Sequence, residues 1–165
     1  MPLARACGIL AASSATLTHR NMARRYMQLD VFAARPGLGN PLGVVLDAAD
    51  LDGASMQALA AWLNLSETVF FLPPEAGADY RIRIFTPGSE LPFAGHPSVG
   101  AAWAAARHGL VQPRDGGLVQ QCGAGLLPVR IEADAGHLAP FVRSPRAREL
   151  ARHDGPLPAG LATLA

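Results

Sequence analysis

Apolar and polar residues alternate with a period of two along much of the chain, and in two places the spacing changes to that of a helix. From Tyr26 to Phe32, Met27, Leu29 and Val31 alternate with Tyr26, Gln28, Asp30 and Phe32, the pattern of a half-buried strand. Arg35 to Pro41 is loop by composition, and Gly43 to Leu46 is a second short apolar strand. Met56, Leu59, Ala60 and Leu63 fall at helical spacing, which predicts a helix capped by Asp52 or Ser55 and running to about Asn64. Glu67 to Leu72 reads as a strand stopped by Pro73-Pro74. Asp79 to Thr86 reads as another, with Tyr80, Ile82 and Ile84 on an apolar face and Arg81, Arg83 and Phe85 opposite.

Pro87 to Gly95 is loop, followed by an Ala-rich helix from Pro97 to His108. Pro97 suits its first position and Gly109 the residue past its end, and Val99, Ala102, Trp103 and Ala106 form its apolar stripe. Three further strands follow: Gly117 to Cys122, Leu126 to Glu132 and His137 to Val142. The order ββαββαβββ with hairpin-length links predicts an α+β fold rather than a doubly wound parallel sheet. The ends lack this patterning. The first 21 residues only faintly imitate an export signal, so residues 1–25 read as a disordered extension or a start codon assigned too early. Residues 26–145 form one domain on this reading, and 146–165, rich in Arg, Pro and Ala, read as a linker.

Half of the 165 residues are apolar and 16% are charged, ample for one packed core and unlike a disordered chain. The net charge is +1 and the longest basic run is Arg24-Arg25, so the clustered stripe of a nucleic-acid binder is missing. All 14 cations are arginine. Without lysine, Schiff-base chemistry and a P-loop phosphate site are excluded. Cys7 and Cys122 make neither a disulfide scaffold nor a zinc site, and point to a reducing, cytoplasmic setting. No window approaches the roughly 18 consecutive apolar residues of a membrane span.

Glu67 opens an apolar strand between Leu65-Ser66 and Thr68-Val69-Phe70-Phe71. Such neighbours would desolvate its carboxylate and raise its pKa towards a range useful for proton transfer; a strand-end Glu standing in solvent fits the same residues. Gly95-His96-Pro97 is the second candidate. Pro97 at the first helical position puts His96 at or near the N-cap, where backbone N–H groups bind carboxylate or phosphate and the ring can carry a proton. A histidine that merely caps the helix fits equally. Gly39-Asn40-Pro41 is ordinary turn chemistry by composition. Cys122 lies in a strand pattern without a basic neighbour and reads as inert. His108 complements a helix C-terminus, His19, His137 and His153 lack companions at metal-ligand spacing, and Arg81 and Arg83 read as a solvated face.

Three stretches carry a resemblance when taken in order: LDVFAARPGLGNPLGVVLDAADL, LAAWLNLSETVFFL and YRIRIFTPGSELPFAGHPSVGAAW. From about Gln28 to His108, and more loosely to Val142, the chain resembles the first half of the PhzF-like isomerase family of phenazine biosynthesis. The resemblance implies a diaminopimelate-epimerase-like fold: two similar α+β halves, each a curved, mostly antiparallel sheet wrapped around a central helix, with the site in the cleft between them. The helix from Pro97 would be the central helix of the first half. The family's best-understood activity isomerises trans-2,3-dihydro-3-hydroxyanthranilate without metal or organic cofactor. By this resemblance Glu67 moves a proton between two carbons, His96 holds and polarises the substrate, and Gly95 and Asn40 help to bind it. Cys7 and Cys122 do not occupy the places of the paired cysteines used by related epimerases.

Family members normally carry a second half, whose acidic residue and Gly-Ser pair complete the site, and no stretch here matches it. The expectation is therefore an N-terminal half that pairs as a homodimer or with a missing second half, acting on a small carboxylate. The alternatives are a non-catalytic small-carboxylate-binding domain and an inactive truncated remnant.

Overall fold

The alternating stretches pair into one sheet, and the helices lie on its two faces. The computed structural model describes residues 24–134 and 137–145. The expected N-terminal extension, except for its last two residues, and the expected linker lie outside these, as do Cys7, His19 and His153. Among the described residues the elements are β1 (Tyr26–Val31), β2 (Asn40–Val45), α1 (Gly53–Leu63), β3 (Glu67–Leu72), β4 (Tyr80–Phe85), β5 (Glu90–Leu91), α2 (Gly95–Arg107), β6 (Gly117–Cys122), β7 (Gly125–Asp134) and β8 (His137–Val142).

The strand order is β1-β2-β3-β4-β6-β7-β8, with β5 attached to β4. Most neighbours are antiparallel, but β2–β3 and β4–β6 are parallel, so the sheet is mixed. Each parallel step is bridged by a helix, because two parallel neighbours need a crossover rather than a tight turn. Helix α2 packs against β1, β2, β3, β4 and also β8 at the far end of the order. Only a curled sheet brings both its ends to one helix.

Enclosure explains the composition of α2. Pro97, Ser98, Gly100, Ala101, Ala102, Ala104 and Ala105 are buried, spread around most of the helix. Of the stripe expected at Val99, Ala102, Trp103 and Ala106, only Ala102 is fully buried. A helix held inside a curl has room only for small side chains, so Val99 and Trp103 face the opening between β1 and β8 instead. Gly100 marks the tightest approach, where a Cβ would run into the Leu42 side chain and stand 3.0 Å from Val31 Cγ2.

A buried polar series and one backbone bond hold the start of α2 and the segment leading into it. Tyr80 donates to Gln120 Oε1 at 3.0 Å, Gln120 donates to Ser98 Oγ at 3.0 Å, and Ser98 Oγ donates to the Ala94 carbonyl at 2.8 Å. The Ala124 N–H bonds the Pro92 carbonyl at 2.9 Å. Burial, reinforced by the nearby Cys122 and Asp79, raises the Tyr80 pKa far above its usual value, so its hydroxyl stays a donor.

On the outer face of the sheet, α1 covers Val45, Phe70 and Phe85 with Met56 and Ala60. Asp52 caps this helix by accepting from Ser55 N–H at 2.7 Å, and Asn64 ends it in a left-handed conformation at φ 51°. The face of β4 expected to be solvated is therefore partly covered. Phe85 is buried, and Arg83 lies 5.1 Å over its ring while gripping Glu90 with two 2.7 Å bonds. Strand β1 ends at Val31, one residue short of expectation, because Phe32 turns to φ 63° and points outward.

Gly to Ala inside a helix usually stabilises by about 1 kcal/mol. At Gly100 the sign reverses: crowding Leu42 and Val31 costs about 1–3 kcal/mol, so Gly100→Ala lowers the thermal midpoint. A raised midpoint in a calorimetric scan would mean that α2 is not tightly enclosed.

Candidate active site

Strand parity decides which side chains look inward. Val69 and Phe71 of β3 pack in the core beside α2, as do Leu42 and Val44 of β2. Glu67 shares the phase of Val69, Asn40 shares the phase of Leu42, and Leu42 pairs with Glu67 across the two strands. Asn40 and Glu67 thus stand at one end of the sheet, on the face that α2 covers. Asn40 was expected in a loop; it is the first residue of β2, paired with Val31. Gly39 before it has no room for a side chain against the Val31 carbonyl and Ala33, which keeps this strand entry tight.

The start of α2 comes over the same end. Ala94 is the N-cap, with extended φ and ψ and no side-chain bond, so Gly95 is the first helical residue and His96 the second. This corrects the expected start at Pro97. Pro97 is third, where its missing N–H costs no helical bond, since the first such bond runs from Ser98 N–H to the Ala94 carbonyl at 3.2 Å. The helix leaves the Gly95 and His96 N–H groups without internal partners. Gly95 is exposed, and a Cβ there would meet nothing within 4 Å.

The His96 ring tilts back towards the sheet. Its Nε2 lies 3.3 Å from Glu67 Oε2, and its Nδ1 lies 3.1 Å from Asn40 Nδ2. The two side chains are well covered, 9% exposed for His96 and 17% for Glu67. At 3.3 Å their facing atoms attract electrostatically, yet both remain without a hydrogen-bond partner despite being buried. An unpaired buried polar atom costs about 1–3 kcal/mol, so two side by side are a feature that stability alone does not favour. Burial lowers the His96 pKa below its ordinary 6.5, while the Glu67 carboxylate and the Pro41 backbone pull it back up.

The structure therefore brings Asn40, Glu67 and His96 into contact and leaves Gly95 beside them at the helix entry. Ser66 joins them, donating from Oγ to Asn40 Oδ1 at 3.0 Å. Neither Ser66 nor the Gln120–Ser98 tie was singled out from sequence. A signal for Gln120 was available, since it stands between Leu118 and Cys122 in the inward phase of β6. For Ser66 none was, because its partner is 26 residues away.

Two concavities lie elsewhere. One of about 1050 Å³, bordered by Asp79, Arg114, Arg130 and Arg143, contains no unpaired acid–base pair. One of about 560 Å³ opens beside Trp103. Among the described residues no cluster of three His, Cys, Asp or Glu side chains could hold a metal ion, and no helix is long and apolar enough to cross a membrane. Cys122 is buried, and His108 caps the end of α2 with its ring 6.4 Å from that of Trp103.

Trans-2,3-dihydro-3-hydroxyanthranilate isomerase of Pseudomonas aeruginosa is 54% identical over 80 residues, covering 48% of this chain and 29% of that protein. Antisense-enhancing sequence 1 of Schizosaccharomyces pombe is 44% identical over 110 residues, covering 66% of this chain and 37% of that protein. The chain thus spans well under half the length of either relative. The crystal structure of a PhzF-family phenazine biosynthesis protein from Bacillus anthracis superposes with a TM-score of 0.62 at 37% identity, over 69% of this chain and 38% of that one. A hydroxyproline epimerase from Agrobacterium vitis, at TM-score 0.51 and 19% identity, shares the fold. The model of the phenazine biosynthesis-like protein family, PhzC-PhzF, matches residues 29–146, and the chain belongs to that family.

Proposed function

We propose that this chain contributes the proton-transferring side of a cofactor-independent isomerase site acting on a small carboxylate. The observation that carries the reading is the buried pair Glu67 Oε2 and His96 Nε2, 3.3 Å apart and otherwise unpartnered. The family match over residues 29–146, which include both, and the similarity to a named isomerase support it.

In this reading the substrate carboxylate sits at the entry of α2, held by the free N–H groups of Gly95 and His96 and by the second amide N–H of Asn40. Glu67 takes a proton from one carbon and returns it to another, so the carboxylate is regenerated and no atom is gained or lost. His96, kept neutral near pH 7 by burial, donates a hydrogen bond rather than a full charge to the electron-rich intermediate. The helix at whose entry this happens serves as the central helix of a first half. The rest of the site comes from a second half or from a second copy in a homodimer. This rests on the small share of the relatives' length that the chain spans. A carboxylate placed inside an anion site disfavours the alternative of a pure carboxylate binder, since like charges repel.

Solvent-deuterium incorporation into dihydro-hydroxyanthranilate in D2O tests the reading. Glu67→Gln removes exchange, by about 10²-fold or more, and leaves binding nearly intact; exchange that persists would remove Glu67 from the mechanism. His96→Ala weakens binding and slows exchange together, and unaffected binding would displace the anion site from the helix entry.

The protonation of His96 is separately measurable by NMR titration. Its midpoint falls below 6.5 because burial disfavours the imidazolium, and it falls further in Glu67→Gln, where a group favouring the cation is gone. Because the unfolded chain holds this proton more tightly, the neutral ring's contribution to stability is present above pH 6.5 and lost as the pH drops through the folded midpoint. A midpoint above 6.5 would mean that the Glu67 attraction outweighs burial.

A further inference from the structure

The hydrogen bonds behind His96 run in one direction, and the direction has a chemical consequence. Ser66 Oγ donates to Asn40 Oδ1 at 3.0 Å, and the Nδ2 of the same amide faces His96 Nδ1 at 3.1 Å. An amide nitrogen has only protons to offer, so Nδ1 must accept. In the neutral ring the remaining proton then sits on Nε2, the nitrogen facing Glu67.

We propose that Ser66 and Asn40 are positioning residues that fix His96 as the Nε2–H tautomer, so that a donor faces the Glu67 carboxylate and any substrate held beside it. This deepens the functional reading above and rests on it for its catalytic meaning. The tautomer itself is a property of the unliganded chain. Neither residue needs to touch substrate for this role: Asn40 acts through the imidazole, and Ser66 acts through Asn40. The Pro41 backbone is a competing acceptor for the ring; a proton held on Nδ1 would leave Nε2 bare. The Glu67 carboxylate and a bare nitrogen would then face each other, and the imidazole could not donate to an electron-rich intermediate.

The sequence spacing fits this division of labour. Asn40 opens β2 and Ser66 immediately precedes β3, and these strands are parallel neighbours, so both side chains reach the same end of the sheet. A change at either position alters which amide end meets the ring. Asn40→Asp presents only acceptors and demands a proton on Nδ1. Ser66→Ala frees the amide to rotate.

The test is the nitrogen-15 spectrum of the full chain labelled at histidine, recorded at alkaline pH where the ring is neutral, with His96 assigned by its absence in His96→Gln. The parent is expected to carry the proton on Nε2. Asn40→Asp is expected to move it to Nδ1, and Ser66→Ala to give a mixture of the two. A parent ring protonated on Nδ1 overturns the proposal, as does an Asn40→Asp ring still protonated on Nε2. Amide dispersion in the same samples reports folding, and the parent measurement stands even where a variant does not fold. Failure of deuterium exchange would count against the isomerase reading alone, because the nitrogen spectra need no substrate.

Discussion

The enclosure of α2 is the constraint on which the rest of the structure depends. A sheet that curls until β1 and β8 both touch one helix leaves that helix little surface of its own. Only Gly, Ala and Ser fit on most of its sides, and Gly100 fits where even a methyl group would collide. A helix made of such small residues gains little from each contact, so its axial position needs polar fastening. Tyr80, Gln120 and Ser98 supply this at the end where precision matters, bonded in series to the Ala94 carbonyl. A buried polar series of this kind is stable only when every member is satisfied, and this makes it intolerant of sliding.

Fixing that end fixes His96. The histidine is the second residue of α2, immediately ahead of the enclosed stretch, so its ring is set by a rigid body rather than by a loop. Glu67 and Asn40 are equally fixed, because each opens a central strand whose neighbours hold it on both sides. Three rigid elements therefore converge on one point. The loops around them are braced rather than free. The Asp30 carboxylate accepts from Gly37 and Leu38, and Arg83 clamps Glu90 just ahead of the segment leading into α2. The exposed ion pairs add little stability individually, about 0–1 kcal/mol each, and their effect is to limit where these loops can go.

Among the described residues, Arg24 Nε, Thr68 Oγ1, Glu67 Oε2 and His96 Nε2 are buried without a partner, and the last two lie only 3.3 Å apart. The same structure that bonds every polar end of the Tyr80–Gln120–Ser98 series leaves these two facing each other without a bond. Their burial strengthens any charge interaction with a ligand, and it keeps the ring neutral by disfavouring its charged form. Desolvation and proximity thus push His96 in opposite directions, which makes the balance at this site sensitive to what stands beside it.

The strands and both helices were readable in the chain because alternation and helical spacing are local. Glu67 to Leu72, Gly117 to Cys122 and His137 to Val142 emerge with the bounds that their patterns predict. Glu67 and His96 stood out as candidates from their local settings, and the resemblance to a family drew attention to the Asn-Leu-Ser-Glu and Gly-His-Pro stretches that hold them. What local pattern misjudged was α2. Of the stripe expected inward, Val99, Ala102, Trp103 and Ala106, only Ala102 is fully buried, because periodicity assumes that one face is buried and the other wet. The sequence by itself determined the elements except β5, which falls in the stretch expected as loop, their order and the residue types available for proton chemistry, since these follow from neighbours along the chain. Only the tertiary structure decided that α2 is enclosed, that Asn40 lies in a strand, and that Ser66, Asn40, His96 and Glu67 meet. Those contacts join residues as far as 56 positions apart, and the curl and register that bring them together belong to the sheet as a whole.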